Sequence, residues 1–424
     1  MKIDIRNARV VDPATGRDEP ASLFIADGRI AAVGAAPDGF RPDRTIDAAG
    51  LVACPGLVDL SARLREPGFE YRATLESEMR AAVAGGVTSL ACPPDTDPPL
   101  DEPGLVEMLK RRAGSLSGSR VYPLGALTLG LKGEKIAEMG ELAEAGCVAF
   151  FQADAPVTDL NVLLQAMSYA ATFGHAVWLR PQDVHLAHGG VAHDGEVATR
   201  LGLPPIPEVA ETVALHTILE LAEATGARVH LARLSTARGV ALVAAAKARG
   251  LAVTCDVGVH HLHLCDRDAA DFNTHMFLVP PLRSPSDRDA LRRALANGTI
   301  DAVCSDHTPV DDDAKLVPFG EAEPGATGLE VFLPLLLKWG EEMKLPLAAT
   351  LAAATSRAAA VLGVEGGTLA PGSAADVCLF DPQRPWIVTR EALASQGRNS
   401  PFLGLELTGR VVTTIVDGRI VYPG

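Results

Sequence analysis

The residues able to do chemistry sit at the ends of short apolar runs. In Ala53-Cys54-Pro55-Gly56-Leu57-Val58-Asp59-Leu60-Ser61-Ala62-Arg63-Leu64-Arg65-Glu66-Pro67-Gly68, an apolar strand runs into a charged loop, and Asp59, Ser61 and Arg63 fall two residues apart. Side chains at that spacing point to one side of a strand, which is how two imidazoles can share a metal ion. Arginine cannot take that role, because its guanidinium stays protonated and offers donors only. A second apolar run ends in Ser305-Asp306-His307-Thr308-Pro309, which offers a carboxylate. His185, His188 and His193 cluster in one loop and read as solvated histidines, with a surrogate metal site as the alternative. His260-His261-Leu262-His263 follows another strand-like run. No Gly-x-Ser-x-Gly elbow, phosphate-binding loop or Cys-His nucleophile pair stands out.

The elements that must position these residues come in a regular order. Short apolar runs at 51–59, 87–92, 121–126, 148–151, 176–179, 228–232, 252–256 and 302–305 are mostly separated by helical patterns such as 73–84 and 209–225. Eight such runs with helices between them predict a (β/α)8 barrel, whose functional groups gather at the C-terminal ends of its strands. The first 50 residues instead alternate as short strands, with an Asp27-Gly28 turn. The same pattern returns near the end, where strands at 375–380, 410–416 and 419–422 surround Asp417-Gly418. Asp-Gly between alternating strands is a hairpin signal, so the two chain ends are expected to build one small β domain.

The chain has 424 residues, of which 47% are hydrophobic and 21% charged. This length accommodates a barrel of about 250 residues or more plus a small second domain. The net charge of −15 repels phosphate backbones and anionic lipid, which disfavours nucleic-acid and membrane roles. The alternating N-terminus and the lack of a long apolar run predict a cytoplasmic protein. Seven cysteines without a Cys-x-x-Cys pair read as buried free thiols.

Several motifs in order carry a family resemblance. They are Pro55-Gly56-Leu57-Val58-Asp59 with Leu64-Arg65-Glu66-Pro67-Gly68, Gly146-Cys147-Val148-Ala149-Phe150, Ser305-Asp306-His307-Thr308-Pro309, Gly328-Leu329-Glu330, and Gly397-Arg398-Asn399-Ser400-Pro401-Phe402-Leu403-Gly404. Together they resemble the dihydroorotases of the amidohydrolase superfamily, of the kind that associate with aspartate transcarbamoylase. The resemblance spans essentially the whole chain. It implies an α/β fold, a (β/α)8 TIM barrel over residues 51–364, with a small β-sandwich domain formed by residues 1–50 and 365–424.

The resemblance also locates the family's metal ligands, and most are replaced. The paired histidines of the first strand are Ser61 and Arg63, and the bridging aspartate is Gln152, followed by Ala153. Asp154 lies two residues on, and the flanking residues align without a gap, so it is not expected to take over. The remaining two ligand histidines are Arg180 and Arg233. Asp306, the family's general base and a metal ligand, is kept as a remnant. One carboxylate among Ser, Gln and three Arg cannot hold Zn2+, which takes about three or four N, O or S protein ligands, so no metal and no other cofactor is expected. The three arginines are expected to replace the positive charge of the lost metal centre, with Asp306 within ion-pair reach of at least one of them. Of the substrate-binding positions Arg65 is kept, while Asp95, Val279 and Val310 replace an asparagine, an asparagine and a histidine.

Three functional readings follow. The first is a non-catalytic dihydroorotase homologue that acts as a structural partner of the aspartate transcarbamoylase catalytic chain in de novo pyrimidine biosynthesis, as a homo- or hetero-oligomer. The second is an active dihydroorotase or cyclic amidohydrolase with an atypical metal site. The third is a sensor module whose arginine-lined pocket binds an anion. Whether the chain is an enzyme stays open, leaning to no.

Overall fold

A computed structural model describes residues 1–116 and 118–423. The eight barrel strands are β1 (Leu57–Asp59), β2 (Val87–Cys92), β3 (Arg120–Ala126), β4 (Ala149–Phe151), β5 (Ala176–Leu179), β6 (Arg228–Leu231), β7 (Val253–Gly258) and β8 (Ala302–Cys304). Neighbours in this order pair in parallel from β1 to β8. The ring closes beyond the last pair: Ala62 bridges His307 at the C-terminal end, and the amides of Val58 and Val303 bond to the carbonyls of Ala354 and Ala353 at the other. Helices such as Leu75–Ala84, Leu160–Phe173, Val209–Thr225 and Leu329–Glu342 cover the outside. Leu75–Ala84 begins where Thr74 and Ser77 form a capping box, each side chain accepting the other's backbone N–H.

Adjacent side chains divide between two cores, as the two-residue period of a strand requires. Phe151, Leu124, Trp178, Ala91 and Cys304 fill the barrel interior. Phe150, Val177, Val229 and Val257 face outward and pack with helix residues such as Leu163, Leu215 and Trp339. All seven cysteines are free and buried. Among the described residues no helix is long and apolar enough to cross a membrane.

The strand expected over 51–59 is two strands. Val52–Pro55 belongs to the outer sheet, pairing with Ile3–Asp12 and Val377–Ile387, and only Leu57–Asp59 enters the barrel. Gly56 makes the break because its backbone lies against Thr88, where an added Cβ would fall 2.1 Å from the Thr88 side chain. The outer layer joins both chain ends as one continuous eight-stranded sheet rather than two separate ones. It curls around its own core of Ile3, Ile5, Leu23, Ile25, Val377 and Ile415. The curl brings its two Asp-Gly turns together, and an added Cβ on Gly418 would fall 2.9 Å from the Gly28 Cα. Both residues of each turn have positive φ, 52° and 75° at Asp27-Gly28 and 49° and 68° at Asp417-Gly418, as a two-residue hairpin needs.

Candidate functional site

The barrel mouth is built on a lock between its first and last strands. Asp59, at the end of β1, accepts the Ser305 amide at 2.8 Å, the Ser61 amide at 3.3 Å and the Ser305 hydroxyl. Full burial pushes the Asp59 carboxyl up to about 6, against the lowering effect of those Ser305 bonds. Just beyond, the amides of Arg63 and His307 donate to the carbonyls of His307 and Ser61 at 2.9 and 3.1 Å. Ser61, Arg63 and Asp306 are thereby held on adjoining segments.

Around them lies a compact ionic cluster whose centre is Asp154. Its carboxylate accepts Arg63 Nη2 at 2.8 Å, Arg180 Nε at 2.5 Å and Arg233 Nη2. Asp306 Oδ1 accepts Arg233 Nη1 at 3.0 Å and lies 3.6 Å from Arg63 Nη1. Arg63 also donates to Asp95 at 2.7 Å and to the Thr308 hydroxyl at 2.9 Å. Four non-glycine residues here have left-handed backbones: Arg65 (φ 62°), Ala153 (53°), Arg233 (59°) and Asp306 (47°). Such conformations are costly and persist where the surroundings fix them, and functional sites collect them.

The protonation pattern follows from this geometry. Burial opposes the charge on Asp154, but the guanidiniums of Arg233, Arg180 and Arg63 outweigh it and hold the carboxyl well below the usual range. For Asp306 burial wins over Arg233 and Arg63, and its carboxyl is raised. Arg233 and Arg63 are raised despite burial, because each faces two or more carboxylates, whereas Arg180 is lowered by burial. Asp154 is 36% exposed, so the cluster opens to water through this side chain.

The sequence-predicted residues divide into those that meet here and those that do not. Arg63, Arg180, Arg233, Asp306 and Asp95 come together. Gln152 turns away, accepting the Thr128 hydroxyl and donating to the Leu131 carbonyl, each at 3.0 Å. Arg65 is buried and donates to the Pro309 carbonyl at 2.9 Å, with burial, and then Arg63, pulling it down to about 10. Ser61 Oγ and Arg233 Nε are buried without a hydrogen-bond partner among the described residues. Asp154, passed over as a ligand, is the main partner of the three arginines. Asp306, expected within reach of at least one of them, pairs with Arg233 and lies 3.6 Å from Arg63. The loop histidines do not converge: His193 lies 3.3 Å from Arg283, while His185 and His188 are exposed. Burial holds His260, His261 and His263 down to about 3, 4 and 4, so they are neutral.

Zinc does not suit this donor set. The guanidiniums at three of the positions expected to hold metal ligands are donors only, and the carboxylates beside them are already neutralised. Among the described residues no group of three or more His, Cys, Asp or Glu is placed to hold a metal ion. Asp154→Asn should therefore lower stability, since it removes the one carboxylate all three arginines share. With water able to reach the site, the loss should be about 1–3 kcal/mol. A depressed carboxyl stabilises the fold above its unfolded value of about 4 and loses that effect only in stronger acid. The check is denaturant unfolding of both forms at neutral pH, where an unchanged midpoint would mean that water satisfies the guanidiniums equally well.

Comparison with known proteins agrees with this architecture. A dihydro-orotase-like family model matches residues 50–238, and an amidohydrolase family model matches residues 182–421. A dihydroorotase-like protein of Pseudomonas aeruginosa is 48% identical over 424 residues, covering 100% of both chains. A dihydroorotase of Syntrophotalea carbinolica is 43% identical over 422 residues, covering 100% of this chain and 99% of that one. Among solved structures, the L-hydantoinase (dihydropyrimidinase) of Arthrobacter aurescens superimposes with a TM-score of 0.88 at 26% identity, over 99% of this chain and 95% of that one. The chain thus belongs to the dihydroorotase-like proteins of the amidohydrolase family.

Proposed function

We propose that this protein is a non-catalytic dihydroorotase homologue that serves as a structural partner of the aspartate transcarbamoylase catalytic chain in the cytoplasm, within a hetero-oligomer. One observation carries the non-catalytic part: at Arg63, Arg180 and Arg233, where the family's ligands would stand, guanidiniums are locked onto Asp154 and Asp306. A site so filled lacks the nitrogen, oxygen or sulfur ligands that a zinc ion needs. The partner follows from the resemblance to dihydroorotases that associate with this transcarbamoylase. It is supported by the intact shell, because a closed barrel and a complete outer sheet persist around a mouth with no machinery for hydrolysis.

Co-expression with the transcarbamoylase of the same host tests the partnership. The expected result is co-elution in one particle, with carbamoyl aspartate formation higher than from the transcarbamoylase alone. Equal activity with separate elution would leave the reading without support.

A further inference from the structure

Arg180 is neutralised differently from the other two arginines. All three share Asp154, but Arg63 also has Asp95 and Arg233 also has Asp306. Among the described residues the only other partner of Arg180 is neutral, the Gln182 side-chain oxygen, 2.5 Å from Nη1. Its Nη2 donates to nothing among the described residues. The side chain is only 6% exposed, so this partly compensated charge is largely removed from bulk water. Burial accordingly lowers Arg180, while Arg63 and Arg233 are raised.

Arg180 also lines a cavity of about 220 Å3 outside the mouth cluster, at the ends of β4 and β5. The helices Leu160–Phe173 and Val209–Thr225 contribute its far wall through Leu163, Ala214 and Ile218. Leu179 and Val157 add to the apolar lining. One carboxylate, Asp183, lines it as well, but its Oδ1 is engaged by the amides of His185 and Leu186 at 3.0 and 2.8 Å. The cavity thus joins one under-neutralised guanidinium to an aliphatic wall, with Thr158, Thr217 and His185 as further polar lining. Sites for small molecules combine those two features, an apolar body pocket and a few fixed polar groups.

We propose that this cavity binds a small monocarboxylate with an apolar body, its carboxylate on Arg180 and its body against Leu163, Leu179 and Ile218. A carboxylate matches the planar fork of a guanidinium and supplies the negative charge that Arg180 shares with two other residues at Asp154. The site is independent of the partnership proposed above and is tested without the transcarbamoylase.

The probe is phenylacetate, with phenylacetamide as its neutral isostere and acetate as the form without a body, titrated into the full-length protein by calorimetry. Phenylacetate should bind saturably at millimolar concentration or below, and both controls at least about tenfold more weakly. Arg180→Gln should weaken phenylacetate by about tenfold or more. Ala214→Phe fills the cavity without touching the ionic cluster and should abolish binding, so it decides the matter if Arg180→Gln fails to fold. Absence of saturable binding, equal affinity for phenylacetamide, or unchanged affinity in folded Ala214→Phe would overturn the assignment.

Discussion

Glu78→Ala is expected to destabilise the protein by about 3–5 kcal/mol, the cost of leaving several buried donors without their shared acceptor. Glu78 and His307 have fully buried side chains, with His307 Nε2 2.6 Å from Glu78 Oε2. The Gly328 amide donates to His307 Nδ1 at 3.1 Å, so that nitrogen is the acceptor and Nε2 carries the proton given to the carboxylate. Glu78 also accepts the Ser395 hydroxyl at 2.6 Å, the Ser77 hydroxyl at 2.7 Å and the Gln396 amide at 3.0 Å. Alanine would orphan these donors together in a place water does not reach. Burial raises the Glu78 carboxyl, but bonding to His307 overcomes this and holds it below the ordinary value. The stabilisation is therefore complete above the unfolded value of about 4.3 and is lost as pH falls through the lower folded one.

The consequence reaches the barrel mouth, because the His307 backbone carries the bridges to Ser61 and Arg63. Glu78→Gln keeps the shape and part of the bonding, so its loss should be smaller. For a chain of this length, ~4 kcal/mol corresponds to a melting shift of about 4 °C if unfolding is cooperative. Scanning calorimetry of the wild type and both variants measures it, and a Glu78→Ala midpoint equal to that of the wild type would remove the claim that this network holds the mouth together.

That network was beyond the reach of sequence reasoning for a simple reason. Its members lie 229 and 317 residues apart, and no periodicity links a helix, a strand-end loop and a C-terminal segment at those separations. What could be read was local. Eight apolar runs gave the barrel, and paired Asp-Gly turns gave the outer sheet, because strand period and turn chemistry are properties of adjacent residues. The arginines at 63, 180 and 233 were legible as a set only through the family resemblance, which fixes where strand ends meet. Asp154 escaped because its position depends on the left-handed turn at Ala153, φ 53°, just after the short strand Ala149–Phe151. A backbone reversal of that kind lets a residue in the wrong register of a motif reach the same space. Asp-Gly announces positive φ by its composition; alanine does not. The break at Gly56 was hidden likewise, since a continuous apolar run does not reveal that its halves pair with different sheets.

The second large effect concerns metal and turnover. Purified protein should hold far less than one zinc per chain, and should open dihydroorotate more slowly than the relatives named dihydroorotase by at least about ten-thousandfold, as loss of a metal that activates water implies. The physical obstacle exceeds missing ligands. At ~5 Å and an effective dielectric of ~20, each guanidinium repels a dication by about 7 kcal/mol, and Arg63, Arg180 and Arg233 all surround the same carboxylate. A metal would have to displace all three from Asp154, which would leave Arg180 buried without its carboxylate partner. Adding zinc during purification should therefore change neither the metal content nor the rate. Elemental analysis that finds one or more tightly held zinc ions per chain, together with turnover abolished by Asp306→Ala, would falsify the non-catalytic reading, because a zinc site would then exist despite the guanidiniums and Asp306 would still be working as a base beside it.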